Sequence, residues 1–284
     1  MAAQSPIPAP AGPRAPRAGW ADRSVFGLAG VAALFLGLPV VFLVGRAVLD
    51  GSLGRALTAR VVLDALVLSL ATTALSLVIV VAFGLPLAFV LARRRFRGAG
   101  LVEAIVDLPI VLPPSVAGLA LLLALGRRGL LGGPLSIVGI ELPFTTLAVV
   151  LAQVFVSAPY FIRSARTAIA GVDPALEDAA RDLGATEPGL FRRITVPLAA
   201  EGLAAGLVMS WARALGEFGA TIMFAGSIEG RTQTLPLVVY GEFQGGDLDG
   251  SIAAAAILVL AALAVLVAVR VLHWGRALDL RNLV

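Results

Sequence analysis

Six long apolar stretches constrain this chain more than any other feature: residues 25–45, 66–91, 108–125, 143–162, 201–224 and 251–269. Each comes near the ~20 residues that a helix rising 1.5 Å per residue needs to cross ~30 Å of hydrocarbon. No water reaches a backbone N–H or C=O at that depth, so each stretch must satisfy itself as a helix or belong to a closed barrel. A barrel would show short alternating segments rather than continuous runs. A chain of 284 residues that is 59% hydrophobic and 14% charged agrees with the helical choice. The expected fold class is an all-α integral membrane protein with six transmembrane helices. The fifth stretch is the least apolar, since it carries Glu201, Arg213 and Glu217.

The polar residues exclude several chemistries. Cysteine is absent, which removes disulfides, thiol catalysis and Cys-ligated metals, and His273 is the only histidine. All 22 basic residues are arginine. Without lysine the chain cannot build a Walker A phosphate loop or a Schiff base. No catalytic residue, metal site or bound cofactor is expected, and any ATP must be held by another subunit. The net charge of +4 is no nucleic-acid signal, because the arginines sit at the ends of apolar runs, as membrane anchors do.

Arginine placement also sets the expected topology. Residues 1–23 are rich in Ala, Pro and Arg without apolar periodicity and read as a disordered tail. The stretch 25–45 is longer than a signal-peptide core and no small-x-small cleavage site follows it, so it is expected to stay as a membrane helix. With both termini inside, fifteen arginines fall in inner segments, six in outer segments, and Arg213 within the fifth helix. That split satisfies the positive-inside rule. It places residues 173–197 in the cytoplasm of a multi-pass protein of the cell (inner) membrane. The expected organisation is a cytoplasmic tail (1–23), a first transmembrane helix with a periplasmic loop (24–62), a transmembrane domain with a five-helix core (63–272) and a cytoplasmic C-terminal tail (273–284).

The interior loop, DPALEDAARDLGATEPGLFRRITVP, is too polar for a bilayer yet dense in ordering signals. Asp173 sits where an N-cap belongs and Pro174 follows at the first helical position. Glu177 and Asp178 favour the helix dipole, and Leu176, Ala179, Ala180 and Leu183 recur on one face. Gly184 supplies a C-cap, and Thr186 with Pro188 opens a second short helix expected to end near Ile194. An ordinary amphipathic loop helix would share some of these signals.

The spacing carries a resemblance. Asp178, Ala179, Ala180, Gly184, Ile194, Val196 and Pro197 fall at every position of the pattern E-A-A-x3-G-x9-I-x-L-P. Asp178 for Glu and Val196 for Leu are the departures, with Glu177 one residue early. This pattern is similar to that of permease subunits of binding-protein-dependent ABC importers. A second stretch from Arg213 to Gly226, RALGEFGATIMFAG, followed by GRTQTLP ending at Pro236, resembles the molybdate permeases of the molybdate, tungstate and sulfate oxyanion group. The segments LPPS at Leu112–Ser115 and GRRG at Gly126–Gly129 point the same way, and the likeness runs from Leu63 to the C-terminus. The resemblance implies a type I ABC importer permease fold. It implies two copies of this chain forming one path, two cytoplasmic ATPase subunits carrying ATP and Mg, and a periplasmic molybdate-binding protein. Residues Glu177 to Ala180, with Gly184, Ile194 and Pro197, would then form the ATPase-coupling loop, a helix seated in a groove.

An anion crossing a low-dielectric path needs donors that hold it only weakly. Pro113 and Pro114 interrupt the third stretch, so a helix restarting there would present the Ser115 N–H, its hydroxyl and a positive dipole end within the membrane. A kink serving only helix packing would leave the same residues. Arg213 and Glu217, four apart, are expected to pair on one face at a gate, although a structural ion pair would look alike. Thr221 and Ser210 are weaker candidate donors along the path. Residues 235–240, in the outer loop 227–250, suggest a short interfacial helix or a docking surface. The rival functions are a sulfate, thiosulfate or tungstate permease of the same group, an ATP-independent secondary transporter, and a non-transporting membrane scaffold.

Overall fold

Uninterrupted apolar runs leave the backbone no partner but itself, and every described regular element is helical. The computed structural model describes the backbone of residues 20–281 and the side chains of residues 24–271 except Ser136 and Arg270. Of the tail expected over residues 1–23, residues 20–23 instead belong to the first helix, and residues 1–19 and 282–284 with the side chains of residues 20–23 and 272–281 lie outside the described residues. The helices in chain order are α1 (Trp20–Leu49), α2 (Ser52–Ala56), α3 (Arg60–Arg93), α4 (Ala99–Val111), α5 (Pro114–Leu125), α6 (Gly132–Ile137) and α7 (Thr146–Ala170). There follow α8 (Pro174–Asp182), α9 (Glu187–Leu190), a π-helical turn (Phe191–Thr195), α10 (Val196–Leu198), α11 (Ala200–Leu215), α12 (Gly219–Phe224), α13 (Leu235–Gln244) and α14 (Leu248–Arg281).

Four segments are long and apolar enough to cross a bilayer unbroken: Ser24–Leu49, Arg60–Arg93, Thr146–Ala170 and Leu248–Val269. Two further segments are bent, α4 against α5 by 120° and Glu187–Leu198 against α11 by 75°. Taking each bent pair as one span gives six. The first bend has a local cause. Proline lacks an N–H and drives the preceding residue out of the helical region, and Leu112 and Pro113 both adopt extended ψ values, 133° and 136°.

Several helices outrun the expected spans, the fourth reaching Ala170 and the sixth continuing to Arg281, and two spans differ for reasons the contacts show. The third begins at Ala99 instead of residue 108, because Glu103 and Asp107 are not loop residues. They face α7, where Arg166 lies 2.9 Å from Glu103 and Arg163 lies 3.7 Å from Asp107. The fifth is not continuous over residues 201–224: α11 stops at Leu215, residues 216–218 form a break, and α12 resumes at Gly219.

Helix α7 is the central element, packed against α3 along one side, α11 along another, and α4, α5 and α12 on the rest. Small residues let it be approached closely. A Cβ added to Gly206 of α11 would lie 2.6 Å from Ser164 Cβ, and one on Gly202 would collide with Ala168. The Ser164 hydroxyl donates to the Gly202 carbonyl at 2.8 Å. This is small-xxx-small packing, which replaces the missing hydrophobic drive between helices in lipid with backbone proximity. A second such seam joins α5 to α12. A Cβ on Gly118 would meet the Ala220 carbonyl oxygen at 2.6 Å, and one on Gly219 would meet Pro114 Cβ at 2.7 Å.

Polar side chains fasten α3 to α7. Ser69, Thr72, Thr73 and Ser76 recur on one buried face of α3. Ser76 Oγ donates to Gln153 Oε1 at 3.0 Å, and Gln153 Nε2 donates to Thr73 Oγ1 at 3.3 Å. Ser69 Oγ accepts the Leu235 N–H at 2.8 Å and so holds the start of α13. The short helix expected over residues 235–240 is present as α13, and its first turn is packed into the protein. Leu235, Leu237 and Val238 are buried, with Leu235 and Val238 in a core shared with α2, α3 and α14. At the rim, α1 packs on α14 and α2 and leaves most of its large apolar side chains exposed, as hydrocarbon would accept.

Candidate functional site

The polar loop folds largely as its local signals dictate. Asp173 Oδ1 accepts the Ala175 N–H at 2.9 Å, capping α8, and Pro174 occupies the first turn. The helix closes on Gly184 at φ +85°, where the Ala185 N–H reaches the Ala180 carbonyl at 2.9 Å. A left-handed residue of this kind costs a side-chain-bearing residue strain that glycine avoids. Thr186 Oγ1 then accepts the Gly189 N–H at 3.3 Å and opens α9. The second helix does not end near Ile194 as expected. It widens into the π-helical turn just ahead of Pro197, which has no N–H to give the preceding turn, and runs on through α10.

One exposed stripe of α8 is apolar, beside the exposed Asp178, Arg181 and Asp182. Leu176 and Ala179 are exposed, Ala180 is half-buried, and Leu183 stands 90% exposed just past the last turn. Ile194 and Val196 are half-buried and Pro197 is exposed. Asp178, at the acidic position of the motif, points outward and pairs with Arg181 at 2.7 Å. Arg181 also reaches Glu187 at 2.7 Å, and that hydrogen bond raises the arginine's pKa above its ordinary value.

Glu177 behaves differently. It is only 3% exposed in a loop whose other residues are mostly open. Arg93 Nη2, from the last turn of α3, donates to Glu177 Oε1 at 2.8 Å and to the Val172 carbonyl at 3.0 Å. Thr195 Oγ1, from the π-helical turn, donates to the same carboxylate oxygen at 2.9 Å. Arg93 and Thr195 were not marked by any motif. The signal available for them was a lone threonine between apolar residues and an arginine at the last position of an apolar run.

A second polar cluster lies at the break after α11. Arg213 Nη1 stands 2.5 Å from Glu217 Oε2, and the Ala220 N–H donates to Glu217 Oε1 at 2.6 Å. The pair is therefore made, but the two residues do not share one helix face. Glu217 lies beyond the end of α11 and caps the start of α12, with 1% of its surface exposed. Thr221 is buried inside the same packing, with no partner for its hydroxyl. The Ser210 hydroxyl donates to the Ser157 carbonyl of α7 at 3.0 Å. Pro113, Pro114 and Ser115 are exposed on this chain, and the Ser115 backbone lies against Gly219. The two breaks thus meet at one place, the start of α5 beside the start of α12. Gln153, with Thr73 and Ser76, is a further buried polar group, discoverable as an amide in an apolar run opposite a hydroxyl stripe.

Among the described residues no group of three or more His, Asp or Glu is placed to hold a metal ion. The arrangement suits mechanical work: an exposed apolar helix face on one side, and a broken, glycine-packed interior on the other.

Comparison with known proteins agrees with this geometry. The family described as "binding-protein-dependent transport system inner membrane component" matches residues 84–275. The molybdenum transport system permease protein ModB of Mycobacterium tuberculosis is 45% identical over 205 residues, covering 72% of this chain and 77% of that one. The protein of the same name from Escherichia coli K12 is 42% identical over 187 residues, covering 65% of this chain and 82% of its own length. Among solved structures, a bacterial ABC transporter that imports the acidic polysaccharide alginate superposes with a TM-score of 0.71 at 19% identity, covering 91% of this chain and 96% of that one. That likeness is one of fold, the type I ABC importer permease fold. The chain belongs to the family of inner membrane components of binding-protein-dependent transport systems.

Proposed function

We propose that this chain is the membrane-spanning permease subunit of an ATP-driven importer that passes molybdate, a tetrahedral oxyanion, from a periplasmic binding protein into the cytoplasm. Kinship with the two molybdenum permeases is the observation that carries the substrate class. Two copies of the chain enclose one path, with both termini and the 173–197 loop on the cytoplasmic side. Each α8 seats its face of Leu176, Ala179, Ala180 and Leu183 in a groove of a cytoplasmic ATPase, with Gly184, Ile194 and Pro197 shaping the loop behind it. The ATPases bind ATP and Mg. This chain binds neither. Nucleotide binding draws the two coupling helices together and swings the path between its inward- and outward-open forms by rigid-body motion.

In this reading the anion passes near the meeting point of the two breaks. Pro113, Pro114 and Ser115 offer transient backbone and hydroxyl donors. Arg213, Glu217 and Thr221 hold the gate, with the carboxylate neutralised so that it does not repel the substrate.

The test is reconstitution of the permease with its ATPases and binding protein in vesicles, followed by uptake of radiolabelled molybdate. ATP-dependent uptake that excess sulfate does not displace is the expected result. Uptake without ATP would overturn the mechanism, and preference for sulfate or tungstate would overturn the substrate.

A further inference from the structure

We infer that Glu177 is a positioning residue that makes α8 and the membrane helices move as one body, through Arg93 and Thr195. The inference deepens the proposed function and rests on the reading of α8 as the ATPase-docking helix.

The first observation is a division of labour between adjacent carboxylates. Successive helix positions point ~100° apart, so Asp178 faces outward to Arg181 while Glu177 turns inward and is buried. The acidic position of the motif is thus the surface residue, and its neighbour makes the internal connection.

The second observation is what that connection crosses. A groove of about 460 Å³, lined in part by Phe89, Arg94, Pro174 and Glu187, opens between α8 and the end of α3. Close apolar packing therefore does not fill the space between the docking helix and the span. The Glu177 carboxylate bridges it, taking one donor from α3 and one from the π-helical turn on the same oxygen. Those two donors stand on a joined base, because Phe89 of α3 and Phe191 of the π-helical turn meet edge to face at 5.0 Å. π-Helical turns recur at functional sites in helices, and this one carries Thr195 to the carboxylate.

The third observation is energetic. A buried carboxylate stripped of one partner is strongly disfavoured, so the connection resists any separation of α8 from Arg93 and Thr195. A displacement of α8 by a partner is then delivered to α3 and, through α10, to α11. Without Glu177 the helix can still dock, but it moves on its own flexible ends.

The experiment uses the full reconstituted complex and reads two quantities together, ATP hydrolysed and molybdate taken up. Glu177→Gln is expected to co-purify with the ATPases and keep their hydrolysis, while uptake per ATP falls by about tenfold, within the range that one packed network contributes to coupling. Thr195→Val should lower the same ratio by about threefold, at the low end of what one hydrogen bond contributes, and Thr195→Ser should restore it. An unchanged ratio in Glu177→Gln, or hydrolysis and uptake falling in proportion, overturns the inference. If Glu177→Gln does not assemble, the Thr195 pair decides, and a normal ratio in Thr195→Val overturns it. Failure of the wild-type complex to show any ATP-driven uptake would instead strike the proposed function.

Discussion

Glu177 and Glu217 are both buried carboxylates paired with arginine, and they differ in how far they reach. Glu217 finds its partners four residues back and three residues on, at Arg213 and Ala220. Glu177 finds Arg93, 84 residues away, and Thr195, 18 residues away. A carboxylate that answers only its neighbours repairs a defect of its own making: the backbone groups and charge exposed where α11 stops. A carboxylate that answers distant elements sets how those elements stand to one another. Burial and charge pairing alone do not tell these roles apart. The sequence separation of the partners does.

Substitutions at the two places should therefore fail in different currencies. The largest effect is expected from Glu217→Gln, which keeps an acceptor for the Ala220 N–H but leaves Arg213 without its counter-charge. Breaking a fully buried pair from one side costs about 3 kcal/mol, and the 26% exposure of the Arg213 side chain lowers that to about 2 kcal/mol, so unfolding of the purified permease should occur at distinctly lower temperature. The complex should still assemble and uptake should slow, while uptake per ATP stays at the wild-type value. A fall in that ratio would erase the contrast with Glu177. Next comes Gly184→Val, which forces a β-branched residue into the left-handed region at a strain of about 1–2 kcal/mol. It should uncouple hydrolysis from uptake by distorting the end of α8, and retained coupling would mean the loop is not the lever. Smallest is Gln153→Leu. It removes two hydrogen bonds between α3 and α7, and intramembrane bonds of this kind average about 0.6 kcal/mol each. A slight loss of thermal stability with normal transport is expected. A loss as large as that of Glu217→Gln would show that the polar seam between α3 and α7 carries more than packing.

Much of this was legible where local chemistry decides the outcome. Asp173, Pro174 and Gly184 announce the limits of α8 because capping depends on the chain's own backbone and on nothing distant. The Pro113–Pro114 break is likewise a local prohibition. The extent of α4 was not legible, because Glu103 and Asp107 look like loop residues until Arg163 and Arg166 of α7 are brought alongside. The stop after Leu215 was hidden for a related reason. Glu217 caps a helix that begins only two residues later, so the sequence reads as one span with a charge in it. The exchange of roles between Glu177 and Asp178 depends on which side of a nine-residue helix leans on the rest of the protein. A motif aligned by spacing cannot supply that side. The hydroxyl stripe of α3 went unread in the sequence, although its polar residues recur at helical spacing in an otherwise apolar run.

The contact of Gly202 and Gly206 with α7 has a consequence for which motions the fold permits. Where the glycine backbone of one helix rests directly on the small side chains of another, Ser164 and Ala168, rotation of either helix about its own axis drives neighbouring residues into the other. Helices α7 and α11 are thus denied the screw-like slippage that bulkier, softer seams allow. They can only tilt together. A displacement at the loop end of α11 would therefore pass to the central helix α7, which packs along it.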